Sequence, residues 1–565
     1  MAVMAESAQY RRARPFVNSR LGPRRNSVVG WRRAGPASHN PLDMPERDVR
    51  DLLLAKRLEP RRVDELLRPY GFHDALGADR ELQAMAKDPS VRARLAAILP
   101  GLLEGLGASA DPDGALRRLE RFFRAGSASA VLSHLAADPR MIEVVTTVFG
   151  ASPFMAEILT RHTTWLYWLA EPGVLSRPRT RKEMARDLAA ALGPLRSEES
   201  RLDALRIAKR RELLHIGVRD LLRRTSVEET LRALSWLAEA LIEAACVLAE
   251  DALRASLGLP AVRAGRRGAG FAVLGLGKLG GEELNFSSDV DLVYLYASDE
   301  GRVSTGRGAP EKSDYFQALA RRVTAALGAV TGEGHVYRVD LRLRPEGRMG
   351  PVARSLVSMQ EYYRTRGATW ERMALLKART VAGDRALGQR FLDRVAPFVY
   401  RRAFDGTALE DVRRVKRQID RRMAERADGD RHVKLGVGGI REIEFVCQVL
   451  QVRFGARRAR LRPRATLAAL GALREAELLA ADEHETLRRA YVFLRDVENK
   501  LQMVSDTQVH ALPDAPEELR ACALRLGYRD DAARSAADAL LADYRAHTSA
   551  THRIFEDVLA GPRLA

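Results

Sequence analysis

Cysteine is scarce. Only Cys246, Cys447 and Cys522 occur in 565 residues, far apart and with no C-x-x-C pair. That excludes a disulfide framework and a thiolate zinc site, and it suits a reducing, cytoplasmic setting. No uninterrupted apolar run approaches the ~18 residues that a membrane span requires. Aromatic residues are few, at 6% of the chain, so the aromatic-rich basic stripe of a nucleic-acid binder is missing. The net charge of +19 comes from arginines spread along nearly every segment, and nucleic acid is not the expected main partner. Acid is almost absent from the first 45 residues, which carry Arg11, Arg12, Arg14, Arg20, Arg24, Arg25, Arg32 and Arg33. They also lack the apolar core of a secretory signal. Residues 1–45 therefore read as a disordered basic tail or an overcalled start, with Met44 as an alternative initiator.

What is present is helical spacing over long stretches. The length calls for about two to four domains. From about Pro45 to Leu259 the pattern is helical throughout, as in Leu234, Leu237, Leu241, Ala245, Leu248 and Leu253. The glycine-rich stretch from Ala261 to Gly270 supplies a breaker. From Gly270 to about Ala382 the character is mixed, and beyond Asp384 it is helical again. There the stripe Leu409, Val412, Lys416, Ile419 and Met423 sets a lysine among apolar residues, and Thr486 to Asp506 reads as a helix too.

The chemistry gathers in the mixed stretch. FAVLGLGKLGGEELNFSSDVDLVYLY, Phe271 to Tyr296, runs from an apolar strand through a glycine turn to Asp-Val-Asp at the head of a second strand. Asp289 and Asp291 are two residues apart, so on a strand they point the same way. HVYRVDLRLRP, His335 to Pro345, alternates cleanly and predicts a strand with Val336, Arg338, Asp340 and Arg342 on one face. The helical segment Ser313 to Gly328 separates the two. Three carboxylates brought together in this way need cations. Mg²⁺ suits them, because it takes one or two carboxylates with waters and phosphate oxygens. Two ions roughly 3.5–4 Å apart would serve both the attacking and the leaving oxygen. Arg338, Arg342 and Arg344 stand beside Asp340 to steady phosphate charge.

Gly275-Leu276-Gly277-Lys278-Leu279-Gly280 matches G-x-G-x-x-G. A dinucleotide-binding unit requires a full helix next and an acid closing the following strand. Here Asn285-Phe286-Ser287-Ser288 interrupts any helix and the acids open the strand. The turn reads instead as a phosphate cradle formed by Gly277, Lys278, Gly280 and Gly281, with Ser288 as a further donor. Two other segments stand out. In WERMALLKAR, Glu371 and Arg372 precede Lys377 and Arg379 on an expected helix. In KLGVGGIREIEF, Lys434 precedes a glycine turn and a helix opening with Arg441 and Glu444. On spacing alone both read equally as helix caps with solvated charge, and His432 and His510 read as structural residues without partners.

GLGKLGGEELNFSSDVDL, YRVDLRLRPEG, TWERMALLKAR, VKLGVGGIREIEF and FLRDVENKLQ together resemble the bifunctional glutamine synthetase adenylyltransferase and adenylyl-removing enzyme family, from roughly Leu95 to the C-terminus. That family carries two nucleotidyltransferase domains of the polymerase-beta type, each followed by a helical domain. This chain shows one. Its Asn285–Ser288 loop, Arg338-Val339-Asp340 and Trp370-Glu371-Arg372 are similar to the N-terminal, adenylyl-removing half.

The resemblance implies a mainly α fold with one α/β nucleotidyltransferase domain flanked by helical domains. The expected divisions are 1–45 tail, 46–265 helical, 266–385 nucleotidyltransferase and 386–565 helical bundle. Asp289, Asp291 and Asp340 would be the catalytic and Mg²⁺-binding residues, with Glu371, Arg372, Lys377, Lys434, Arg441 and Glu444 in support. The implied reaction is phosphorolytic removal of AMP from a tyrosine of glutamine synthetase, giving ADP and regulating nitrogen metabolism in the cytoplasm, with the PII signalling protein as a further partner. The same carboxylates suit ATP-dependent adenylylation of that tyrosine. An RNA nucleotidyltransferase and a non-catalytic regulatory half are the alternatives of other classes.

Overall fold

Several of the N-terminal helices start at side-chain caps. In this computed structural model, which describes residues 48–259, 270–304, 309–401, 406–426 and 428–560, Asp88 accepts hydrogen bonds from the Ser90 and Val91 amides. Thr180 with Glu183, and Ser226 with Glu229, close reciprocal capping boxes. The expected basic tail and nearly all of the breaker from Ala261 lie outside the described residues. The helix Val227–Ser256 buries Leu234, Leu237, Leu241, Ala245 and Leu253, with Leu248 half-buried. It packs between the helices Glu198–Leu221 and Lys312–Gly328.

The sheet follows. Strands β1 (Phe271–Gly275), β2 (Val290–Tyr296), β3 (Val339–Asp340), β4 (Ala353–Ser355) and β5 (Arg379–Gly383) are arranged in the order β3-β2-β1-β5, with β4 also on β2. β1 runs antiparallel to β2 and β5, whereas β3 and β4 pair with β2 in parallel. Successive β1 residues enter different cores. Phe271 and Val273 join the N-terminal helices, and Ala272 and Leu274 join the C-terminal ones. A strand buried on both faces reads as one apolar run, which is why 271–275 shows no alternation. Phe316 of the helix Lys312–Gly328 stacks on Phe271 and Tyr296, at 5.9 and 5.1 Å between ring centres. After β5 come the helices Arg385–Ala396, Gly406–Ala424, Ile440–Phe454, Thr466–Glu475, Ala481–Gln502, Pro516–Arg525 and Ala536–Ala560. The protein is thus mainly α around one small mixed sheet. Among the described residues no helix is long and apolar enough to cross a membrane.

Two expectations need correction. The long strand 335–345 is only Val339–Asp340. Beyond Asp340 the chain turns, because the Asp340 carboxylate accepts the Arg342 amide at 2.8 Å. The Arg344 guanidinium then gathers the Leu341, Gly350 and Pro351 carbonyls. Both Val336 and Tyr337 are buried, so the alternation there is accidental. The second correction concerns WERMALLKAR. Its helix ends at Leu375, Lys377 lies in the following turn, and Arg379 opens β5. The pairing of Thr380–Gly383 with β1 outweighs the helical spacing.

Candidate active site

The parallel pairing of β2 with β3 aligns Val290 with Val339 and Asp291 with Asp340. The Val290 amide donates to the Arg338 carbonyl at 3.0 Å. In-register neighbours on adjacent strands project to the same side, so two carboxylates meet at the sheet edge with Asp289 one step before. Arg338 donates to Asp289 at 2.7 Å and to the Ser287 carbonyl. Arg342 forks onto Asp340. Burial pushes the Asp340 carboxyl up, but these hydrogen bonds and the Arg342 charge hold it below its ordinary value.

Asp291 differs. Its carboxylate has no hydrogen-bond partner among the described residues. Burial, then the neighbouring Asp340 and Asp289, push it up to about 6 against the pull of Lys434 and Arg441. Beside it the glycine turn makes room. Gly277 sits at φ +53°, and a Cβ there would stand 2.4 Å from Oδ2 of Asp291. The Leu276 amide meanwhile donates to the Asp291 carbonyl at 2.9 Å. Among the described residues no three carboxylate, imidazole or thiol side chains converge into a ready-made metal cage, since Asp289 and Asp340 are each turned onto an arginine. The donor set nevertheless fits Mg²⁺, which needs only one or two carboxylates and completes its shell with water and phosphate oxygens. An undonated carboxylate with open space beside a glycine supplies that beginning.

These residues line a cavity of about 670 Å³ that also takes in Lys278, Ser288, Arg342, Lys377, Lys434, Arg441 and Glu444. One wall is apolar, formed by Leu343, Trp370, Met373, Val412, Val415 and Phe445. The structure thus brings the three aspartates together with Lys434 of the turn before the helix Ile440–Phe454 and Arg441 in its first turn. Gly280 and Gly281 lie outside the cavity wall. A Cβ on Gly280 would meet the Lys377 carbonyl at 2.0 Å, so this glycine serves close packing. Arg344 holds its own loop, Glu371 caps its own helix at the Ala368 amide, and Arg372 donates to the Val399 carbonyl.

Lys278 donates to Asn285 at 2.6 Å and to Glu498 at 2.8 Å, and burial pulls it down to about 7 despite that carboxylate. Lys377 bridges Glu283 and Glu444, each at 2.7 Å, which hold its ammonium charged and Glu444 well below its ordinary value. Glu498, Glu283 and His510 escape single-residue reasoning. Glu498 holds both Lys278 and His510, the latter at 2.9 Å. His432 and His510 are not isolated either, for their rings stack at 5.6 Å. The signal available for Glu498 was its place in FLRDVENKLQ, a polar run on a helix with a strong apolar stripe.

The glutamate-ammonia ligase adenylyltransferase profile matches residues 142–394, and the GlnD PII-uridylyltransferase profile matches residues 412–559. A curated relative from Thioalkalivibrio sulfidiphilus is 40% identical over 69% of this chain and 40% of its own length. Relatives from Nitrosococcus oceani and Pseudomonas aeruginosa are each 37% identical, over 75% and 72% of this chain and 43% and 41% of their own lengths. All three are named bifunctional glutamine synthetase adenylyltransferase/adenylyl-removing enzyme. The chain spans about two fifths of the length of these relatives. The stretch that matches the glutamate-ammonia ligase adenylyltransferase family, residues 142–394, contains the whole of the sheet with its glycine turn and its carboxylate edge.

Proposed function

We propose that this chain is a Mg²⁺-dependent nucleotidyltransferase that acts on glutamine synthetase and removes AMP from its adenylylated tyrosine by phosphorolysis. The observation that carries the reading is Asp291, undonated and paired in register with Asp340, in a cavity that Lys434 and Arg441 also line. Asp289, Asp291 and Asp340 would hold Mg²⁺, which offsets phosphate charge and the charge gathering on the departing oxygen. Gly277, Lys278 and Ser288 border the adenylyl phosphate. Arg338 and Arg342 orient the two outer carboxylates. The apolar wall beside Trp370 takes the flat rings of the adenylyl-tyrosine. The N-terminal-half wording of the motifs favours removal over addition. The match of 412–559 to a PII-uridylyltransferase profile supports the PII signalling protein as a regulatory partner.

The test is incubation of the chain with adenylylated glutamine synthetase, Mg²⁺ and phosphate, beside unmodified synthetase with ATP. Phosphate-dependent ADP release is expected, and Asp291→Asn lowers it by orders of magnitude while the fold persists. AMP transfer in the ATP reaction alone would reverse the direction.

A further inference from the structure

The cations at this cavity divide into two kinds. Lys278 has Glu498, Arg342 has Asp340, and Lys377 has Glu283 and Glu444. Lys434 has no hydrogen bond or ion pair among the described residues, although it is enclosed by the cavity wall. Arg441, beside it, reaches Glu444 only at 3.5 Å, and its Nε is buried without a partner. Lys434 lies near Glu498, Glu444 and Asp291 without bonding any of them, while burial and the neighbouring Arg441 both disfavour its charge, a cost that a bound anion lowers.

The backbone that carries these cations is held in place. The Arg441 amide donates to the Lys434 carbonyl at 2.9 Å, and Ile440 to Val433 at 3.0 Å. Val433 is tied to the His510 carbonyl at 2.8 Å, and Gly438, at φ +71°, lies so near Thr548 that a Cβ would meet its carbonyl at 1.8 Å. A fixed loop that presents the unbonded Lys434 ammonium and the incompletely bonded Arg441 guanidinium to the cavity is a prepared anion site.

We propose that Lys434 and Arg441 form the subsite for a free phosphate, the attacking orthophosphate of the reaction proposed above, so that one reactant is held by the C-terminal helices and the other by the sheet. This rests on that reading. An oxygen of hydrogen phosphate attacks the adenylyl phosphorus, and the bond from phosphorus to the tyrosyl oxygen breaks. The tyrosyl oxygen leaves with the electron pair and ends with the proton that hydrogen phosphate carried. The products are ADP and unmodified tyrosine, with charge and atoms balanced. Lys434 and Arg441 screen the approach of the dianion to the negatively charged diester.

Calorimetric titration of the full chain with inorganic phosphate in Mg²⁺ buffer tests the subsite apart from turnover. Lys434→Met and Arg441→Met are expected to weaken phosphate binding at least tenfold. They should raise KM for phosphate to match and leave KM for adenylylated synthetase within twofold. Lys434→Arg should retain most of the binding, and thermal melting checks that each variant is folded. Unchanged phosphate affinity in the two folded methionine variants, or no phosphate binding by the parent chain, overturns the proposal. So does a loss confined to a parallel ATP titration. Phosphate binding that depends on Lys434 without any ADP formation would uphold the subsite and sink the phosphorolytic reading.

Discussion

Gly277 answers two demands at once. Its φ of +53° is a left-handed conformation that costs an L-residue about 1–2 kcal/mol, and its missing side chain leaves the space against the Asp291 carboxylate. Gly277→Ala is therefore expected to lower stability by about 1–2 kcal/mol and activity by about 100-fold through displacement of Asp291. Chemical denaturation and initial rates measure the two separately. An alanine variant with parental kinetics would mean that this space is not used. The sequence set Asp289, Asp291 and Gly277 side by side, as the structure has them, because strand period and glycine sterics are local rules. It did not show the packing constraint on Gly280, which is set in part by a carbonyl almost a hundred residues downstream. Arg344 misled similarly. Nothing local distinguishes an arginine that faces phosphate from one that folds back on its own loop carbonyls.

At the scale of elements, the loop carrying Lys434 depends on His432. That ring is 5% exposed, and its Nδ1 accepts the Leu435 amide at 3.0 Å, which requires the neutral form. Burial, then the stacked His510, pull it from 6.5 down to about 4, with Asp428 opposing and Arg426 assisting. The unfolded chain binds the proton more readily. Stability supplied by neutral His432 is thus complete above about pH 6.5 and is lost as pH falls toward 4, by about 3 kcal/mol at most. His215, buried and pulled down to about 4, adds a similar acid loss of its own. The comparison that isolates the loop is His432→Asn, which keeps an acceptor for Leu435 but does not titrate. Urea midpoints at pH 7.5 and 5 should converge in the variant relative to the parent chain. Equal pH sensitivity in both would place the acid loss elsewhere. Elements whose packing partners are apolar were readable from period, as the helices 227–256 and 312–328 were. The short β3 was not, because side-chain hydrogen bonds from Asp340 and Arg344 overrule the alternation that surrounds it.

Across the whole molecule, the helix Ala481–Gln502 joins parts of the chain that are far apart in sequence. Within two turns, Arg495 donates to the Glu283 carbonyl, Glu498 pairs with Lys278, and Asn499 accepts from Asn285 at 2.6 Å. Gln502 accepts the Ser287 amide, and Lys500 pairs with Asp220 of the helix Glu198–Leu221 and with Asp496. By period these residues belong on a solvated face, yet Arg495, Glu498, Asn499, Lys500 and Gln502 are fully buried. Hydrophobic spacing records apolar partners. It does not register counter-charges more than two hundred residues away, and so this junction was legible only through the likeness of FLRDVENKLQ to its family. Energetics follow from the pairing. Lys500→Met leaves Asp220 buried with Thr230 as its remaining partner, and a stranded buried charge costs about 3–5 kcal/mol. Asp220→Asn should cost less, because Asp496 still neutralises Lys500 at 3.1 Å. The double variant removes both charges of the pair and should be more stable than Lys500→Met alone, giving a coupling energy of about 1–3 kcal/mol. Urea unfolding of the three variants and the parent chain measures it. Strictly additive losses would mean that the two side chains act independently.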